Sequence, residues 1–197
     1  MTEAGRQTHG LESFLQSEPG YGATDTGVQI QIQTGLVQLN LRGDANNERF
    51  TNTVEKVLEQ ALPTIPNTAT FGAHRVYWLG PDEWLILSDT SSLANELQKS
   101  LDEISCAIND ISGGQIALRI TGKHARDVLA RGCTLDLHPQ VFTTGMCAQS
   151  GLAKASVLMA AVDAENSFDV IVRRSFSDYL VRWLRHTGEE LGVTFSA

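Results

Sequence analysis

At 197 residues, with 42% hydrophobic and 19% charged residues, the chain can bury one domain or two small ones packed together, and its composition excludes wholesale disorder. A net charge of −8 argues against nucleic acid as the main partner, because phosphate binding needs a basic face. No apolar run is long enough to span a bilayer, so no membrane partner is expected.

The charge is uneven. Residues 1–26 carry one base and four acids, 27–112 five and eleven, and 113–197 nine and eight. The last part therefore has basic groups to spare, for an anion, an acidic partner or a mixed solvated face. The N-terminus is polar, acidic and Gly-rich, without the apolar core of a signal peptide. Three cysteines (Cys106, Cys133, Cys147) without paired spacing predict free thiols in a cytoplasmic protein.

In chain order, residues 1–26 read as an arm or tail. Val28 to Gln33 and Leu36 to Arg42 alternate apolar with polar around Thr34-Gly35, which predicts a short hairpin. From Glu48 to Leu62 the residues Phe50, Val54, Val57, Leu58 and Leu62 form a helical stripe, stopped by Pro63. Residues 64–73 read as loop. His74 to Leu79 and Trp84 to Leu87 are strands joined by the turn Gly80-Pro81-Asp82-Glu83. Ser91 or Ser92 then caps a helix bearing Leu93, Leu97, Leu101 and Ile104, and Cys106 to Ile111 is a strand.

After the tight Gly113-Gly114 connection the same order recurs. Ile116, Leu118 and Ile120 alternate with Gln115, Ala117 and Arg119, placing one strand face on a core. A helix over 123–131 follows, with Gly132 where a left-handed C-terminal cap would sit. Strands at 152–162 and 168–173, a turn at 163–166, a helix over 176–190 capped by Ser175 and a brief strand at 193–195 complete the chain. The expected fold is α+β: two ferredoxin-like split β-α-β pseudo-repeats, 27–112 and 113–197, in one compact body behind the arm 1–26. The connection 132–151 should hold short turns or a functional surface.

Chemistry is sparsely signalled. Neither G-x-G-x-x-G nor G-x-x-x-x-G-K-[ST] occurs, and the five histidines show no ligand spacing, so no nucleotide, metal or catalytic residues are assigned. Asp82 and Glu83 belong to a solvated turn. Asp110, in an apolar strand before Gly113-Gly114, either caps the turn backbone or is a site carboxylate. Trp84 and Trp183 are read as core residues, with interface anchoring as the sharper alternative. Arg173-Arg174-Ser175, at a strand-to-helix junction, is the candidate anion or partner contact, since a helix N-terminus offers free N–H groups. Alternation separates the two arginines, so one can instead face water while the other pairs with an exposed acid.

The pattern INDISGGQIALRITGKHARDVLARGCTLDLHPQVF, followed by SFDVIVRRSFSDYLVRWL, resembles the gamma subunits of heterotetrameric sarcosine oxidases. The likeness runs from about Leu36 onward. Its specific parts are Cys133 to Phe142 and Arg173 to Leu184, while Asp110-Ile111-Ser112 and Gly122 to Leu129 also resemble folate-binding aminomethyltransferases such as the T protein of glycine cleavage. The resemblance implies a fold like the N-terminal part of an aminomethyltransferase. It also implies a place beside alpha, beta and delta subunits, with alpha as the main contact. The complex would oxidise sarcosine to glycine using FAD, FMN and NAD, pass the methyl carbon to tetrahydrofolate, and hold zinc in its small subunit. No cofactor is implied for the gamma chain. Aminomethyltransferases carry an acid after the D-L loop, yet His138 to Val162 contains neither Asp nor Glu, and Gln149, Ser150 or Lys154 cannot move a proton in its place. The expected role is a non-catalytic structural subunit. Alternatives are a stand-alone folate-binding protein using Arg173, Arg174 and Asp110, or the equivalent subunit of a related N-methyl amino acid dehydrogenase.

Overall fold

Strands with one apolar face dominate the chain, and the computed structural model, which describes Leu11, Phe14, Leu15 and residues 26–197, assembles them into two sheets. In order the elements are β1 (Val28–Gln33), β2 (Val37–Gly43), α1 (Glu48–Leu58), β3 (Ala69–Phe71), β4 (Arg75–Gly80), β5 (Glu83–Ser88), α2 (Leu93–Ser100) and β6 (Cys106–Asp110). Then come β7 (Gln115–Thr121), α3 (Ala125–Ala130), β8 (Cys147–Leu152), β9 (Ala155–Ala161), β10 (Phe168–Arg173), α4 (Arg174–Thr187), a 3-10 turn (Glu189–Leu191) and β11 (Val193–Ser196). The mixed α+β class expected from the sequence is the class observed.

One sheet runs β3-β4-β5-β2-β6, antiparallel throughout. Its outer face is covered by α1 and α2, where Phe50, Val54, Leu58, Leu93 and Leu97 meet Leu39, Leu41, Val76, Trp84 and Ile86. The other sheet runs β11-β1-β7-β10-β9-β8 and is covered by α3 and α4 through Val128, Leu129, Leu180 and Leu184. The inner faces meet in a third cluster containing Tyr77, Leu85, Leu87, Ala117, Leu158 and Ile171. The protein is thus layered helix, sheet, sheet, helix, and strands of both sheets are apolar on both faces.

Several expectations are corrected. β1 and β2 do not form a hairpin: β1 lies between β7 and β11, antiparallel to the first and parallel to the second, while β2 pairs β5 and β6. Gly35, at φ +76, carries the chain from one sheet to the other. The strand expected at 152–162 is the second arm of a β8–β9 hairpin whose first arm falls inside the expected 132–151 connection. The expected loop 64–73 contributes β3. α1 ends at Leu58, with Glu59 left-handed, before Pro63 is reached. Ser175 lies inside α4, whose cap position is Arg173 and has no side-chain cap. Ser92 does stand at the cap position of α2, but its hydroxyl goes to Glu96, 2.5 Å away.

Gly132 does not adopt a left-handed cap. It is needed for close approach: a Cβ there would stand 2.5 Å from the Trp183 ring and 3.1 Å from the Ala153 amide. Trp84 is a core residue as expected, fully buried with its indole N–H donating to the Pro63 carbonyl at 2.7 Å. Of the expected arm, all but four residues (Leu11, Phe14, Leu15 and Thr26) lie outside the described residues. Leu11 and Phe14 are buried in the helix-covered core, and Phe14 packs edge-on against Phe195 of β11 with ring centroids 4.9 Å apart.

Candidate functional site

The apolar run Phe168 to Val172 is broken by one carboxylate, Asp169, and the register of β10 against β7 sets Arg119 directly opposite it. Both point inward, to where β4 of the other sheet presents Tyr77 and Arg75. The Asp169 side chain is fully buried. It accepts from Arg119 Nε at 2.6 Å and Nη2 at 3.1 Å, and from the Tyr77 hydroxyl at 2.5 Å. Arg75 Nη1 stands farther off, 3.4 and 3.5 Å from the two oxygens. A buried carboxylate persists in the ionised form only when paired in this way. Burial alone would lower the Arg119 pKa, but the hydrogen bond to Asp169 and its charge hold it above the ordinary value.

The phenol of Tyr77 is held well above its ordinary range by burial first, then by the charge and hydrogen bond of Asp169, against the opposing pull of Arg75 and Arg119. A pKa raised by folding contributes stability below the unfolded value near 10, and this is lost as pH climbs above it. Tyr77→Phe is therefore expected to cost about 1.5–3 kcal/mol near neutral pH, the worth of a hydrogen bond to a charged group. Above pH ~10 its stability should decline less steeply than that of the parent chain. Urea unfolding from pH 8 to 11 measures both, and identical slopes would mean the phenol ionises as freely folded as unfolded.

The seam is not closed. A cleft of about 420 Å³ opens beside Arg75 and Arg119 and is bordered by Gln33, Phe71, Ser88 and Asp89. The arginine side chains are 15% and 24% exposed, and both residues line the cleft. Asp163, at the near end of β10, spends its carboxylate on the amides of Glu165 and Ser167 at 2.8 and 3.1 Å.

The residues singled out from the sequence lie elsewhere. The Asp110 carboxylate accepts from the Ser112 amide at 2.9 Å and its hydroxyl at 2.5 Å, which makes it the turn-capping group. Arg173, Arg174 and Ser175 are exposed at the start of α4. Through its backbone, Arg174 reaches the same turn, donating to the Gly114 carbonyl at 2.9 Å. Arg173 borders a second cleft of about 420 Å³, with Gln115, Gln149, Ser150 and Ser156. The structure thus brings the Asp110 turn and the Arg174 backbone together, and neither touches the Asp169 cluster. Cys147 is buried, and burial raises its thiol pKa to about 11 despite a backbone hydrogen bond. Cys133 is half-buried, 3.8 Å from the Ser150 hydroxyl. Among the described residues no three of His, Cys, Asp and Glu assemble as a metal group, and no helix is long and apolar enough to cross a membrane.

Sequence reasoning passed over Asp169, Tyr77, Arg75 and Arg119. A signal existed: single opposite charges set in the apolar runs FDVIV and QIALRIT are costly unless they meet.

A family model described as the sarcosine oxidase, gamma subunit family matches residues 42–190. A sarcosine oxidase subunit gamma of Arthrobacter sp is 36% identical over 167 residues, covering 83% of this chain and 81% of that protein. Among solved structures, a chain of heterotetrameric sarcosine oxidase from Corynebacterium sp. U-96, in complex with pyrrole 2-carboxylate, is similar with a TM-score of 0.80 at 25% identity. The match covers 90% of this chain and 91% of that one. The glycine cleavage system aminomethyltransferase T of Bartonella henselae shares the fold, with a TM-score of 0.70 at 12% identity over 94% of this chain and 58% of its own. An aminomethyltransferase-like fold was the expectation from the sequence.

Proposed function

The chain belongs to the sarcosine oxidase gamma subunit family, and we propose that within its complex it is a structural, non-catalytic subunit. The observation that carries this reading is the fate of its acids. Residues 138–162 contain no Asp or Glu, and the fully buried carboxylate of the seam, Asp169, is tied to Arg119 and Tyr77. Its oxygens are taken up by those partners and it has no exposed surface, so it is out of hydrogen-bond reach of a substrate. In this reading the complex oxidatively demethylates sarcosine and passes the methyl carbon to tetrahydrofolate in the cytoplasm. The alpha, beta and delta subunits hold the FAD, FMN, NAD, folate and zinc, and alpha is the main contact of this chain. We read 27–112 and 113–197 as two ferredoxin-like repeats. The order β4-β5-β2-β6 supports this for the first, and β1 stands between β7 and β11 in the second.

Partner contacts are assigned to the N-terminal segment, the 132–151 connection and the edge carrying Arg173 and Arg174. Large apolar side chains left exposed support this: Ile65, Val141 and Phe176. The Ile65 and Val141 loops run side by side, joined by Ala69 N–H to Gly145 at 2.7 Å and Cys147 N–H to Asn67 at 2.8 Å. Co-expression of the other subunits with and without this chain tests the role. Loss of assembly or of thermal stability is expected without it, with flavin reduction by sarcosine lost in proportion. A complex that assembles with unchanged turnover and stability overturns the proposal.

A second reading, folate binding by the isolated chain, draws on the exposed Arg173 at the mouth of the second cleft. Calorimetric titration of the full chain with tetrahydrofolate separates the two: saturable heat at sub-millimolar folate favours this second reading, and its absence removes it.

A further inference from the structure

Hydrogen bonding in the Asp169 cluster is uneven. Two guanidiniums face its one carboxylate, and Asp163 also acts on Arg119 by its charge, whereas Arg75 has only the Asp169 pair. Arg119 and Tyr77 already take the short hydrogen bonds to that carboxylate, and Arg75 is left with contacts of 3.4 and 3.5 Å from one nitrogen. A guanidinium carries five N–H donors. Among the described residues no acceptor other than Asp169 reaches those of Arg75. Its side chain is only 15% exposed, and that exposure opens on the 420 Å³ cleft. A cation held in a mostly buried wall attracts an anion more strongly than one on an open surface, because the wall screens less than water does.

We propose that the mouth of the seam binds a single carboxylate group, received by the outward N–H donors of Arg75. The planar fork of a guanidinium matches a carboxylate, which can accept two parallel hydrogen bonds from it. The cleft volume falls in the lower range of small-ligand sites, enough for an acid of a few carbons or for the end of one acidic side chain. Phe71 and Leu87 offer apolar wall, and Gln33 and Ser88 further polar contacts. Asp89, exposed at the rim, sets the charge class: it repels a second negative charge, so a monocarboxylate is favoured over a dianion such as sulfate. The site stands whether or not the chain is a purely structural subunit.

Titration of the 15N-labelled full chain with sodium acetate against sodium chloride at equal ionic strength, followed at the arginine Nε–H signals, tests this. Saturable displacement of the Arg75 signal by acetate, with sulfate binding more weakly, is expected. Arg75→Gln should weaken acetate binding by at least about tenfold, as for loss of a charge-assisted pair. Should Arg75→Gln fail to fold, Asp89→Asn carries the test, because removing the rim charge is expected to tighten acetate binding and reduce the discrimination against sulfate. A linear response equal to that of chloride, or acetate binding unchanged in both variants, overturns the proposal. Repeating the acetate titration on the assembled complex identifies the source. Saturation that survives assembly points to a free acid, and saturation seen only in the isolated chain points to an acidic side chain of a neighbouring subunit.

Discussion

Asp169→Asn is expected to remove about 3–5 kcal/mol of folding free energy, the cost of leaving buried charge uncompensated. The substitution keeps the shape of the side chain, so packing is not the cause. Its amide turns an acceptor into a donor against Arg119 and Tyr77, which already donate at 2.6 and 2.5 Å. Two guanidiniums then share the seam with no carboxylate between them. For a domain whose whole stability is about 5–15 kcal/mol this is a large fraction. Urea unfolding of the purified chain reads it as a fall in midpoint at unchanged slope. A loss below about 1 kcal/mol would mean that water reaches the carboxylate and that the cluster is a surface pair in energetic terms. Combining Asp169→Leu and Arg119→Met with Tyr77→Phe should recover most of the loss, because apolar volume can replace a buried polar cluster at little cost once no buried hydroxyl is left without a partner, while Arg75 keeps its outlet to the cleft.

Gly122→Ala is the second large effect. Gly122 has φ +112, a region closed to residues with a Cβ, and the added methyl would sit 2.5 Å from the Gly27 carbonyl oxygen. That carbonyl accepts from the His124 amide at 3.0 Å, so it cannot retreat without loosening the entry to α3. Gly27 in turn donates to Leu191 and Gly192 at 3.1 and 3.0 Å, which ties the same point to the turn before β11. Backbone strain and overpacking together are expected to cost about 2–5 kcal/mol. Amide hydrogen exchange should show β1 and β11 losing protection before β7 and β10 do. Gly113→Ala is the control: nothing lies within 4 Å of its added carbon, and unfolding should shift by less than about 0.5 kcal/mol.

Much of the architecture was legible because each element carried its own periodicity. The stripe through Phe50, Val54 and Leu58 and the run Trp84 to Leu87 mark α1 and β5 without any knowledge of their neighbours. What failed was pairing. Alternation in Val28 to Gln33 tells which face is buried, and proximity to Val37 suggested a hairpin, but the better partners lie in β7 and β11. β8 escaped notice because Gln149, Ser150 and Gly151 interrupt its apolar period, as suits an edge strand. Gly132 was read as a local signal when its constraint is a tryptophan from α4. The polar seam was hidden for the same reason. Alternation puts Arg119 opposite the helix-covered face, and only the stacking of a second sheet turns that opposite face into an interior. Of the candidate contacts, Asp110 obeyed turn chemistry, which is local, whereas the Asp169 cluster needs three strands from two sheets.

The placement of β1 has a consequence for how the molecule comes into being. β1 is made well before β11 and must wait, edge bare, until β11 has been synthesised and can close against it. The β3-β4-β5-β2-β6 sheet is complete once β6 is made, but the other sheet needs β1 as well as β7 to β11, and such long-range closure slows maturation and prolongs exposure of a sticky margin. A nascent chain of this kind is a natural client for chaperones, and deleting β11 should trap it unfinished.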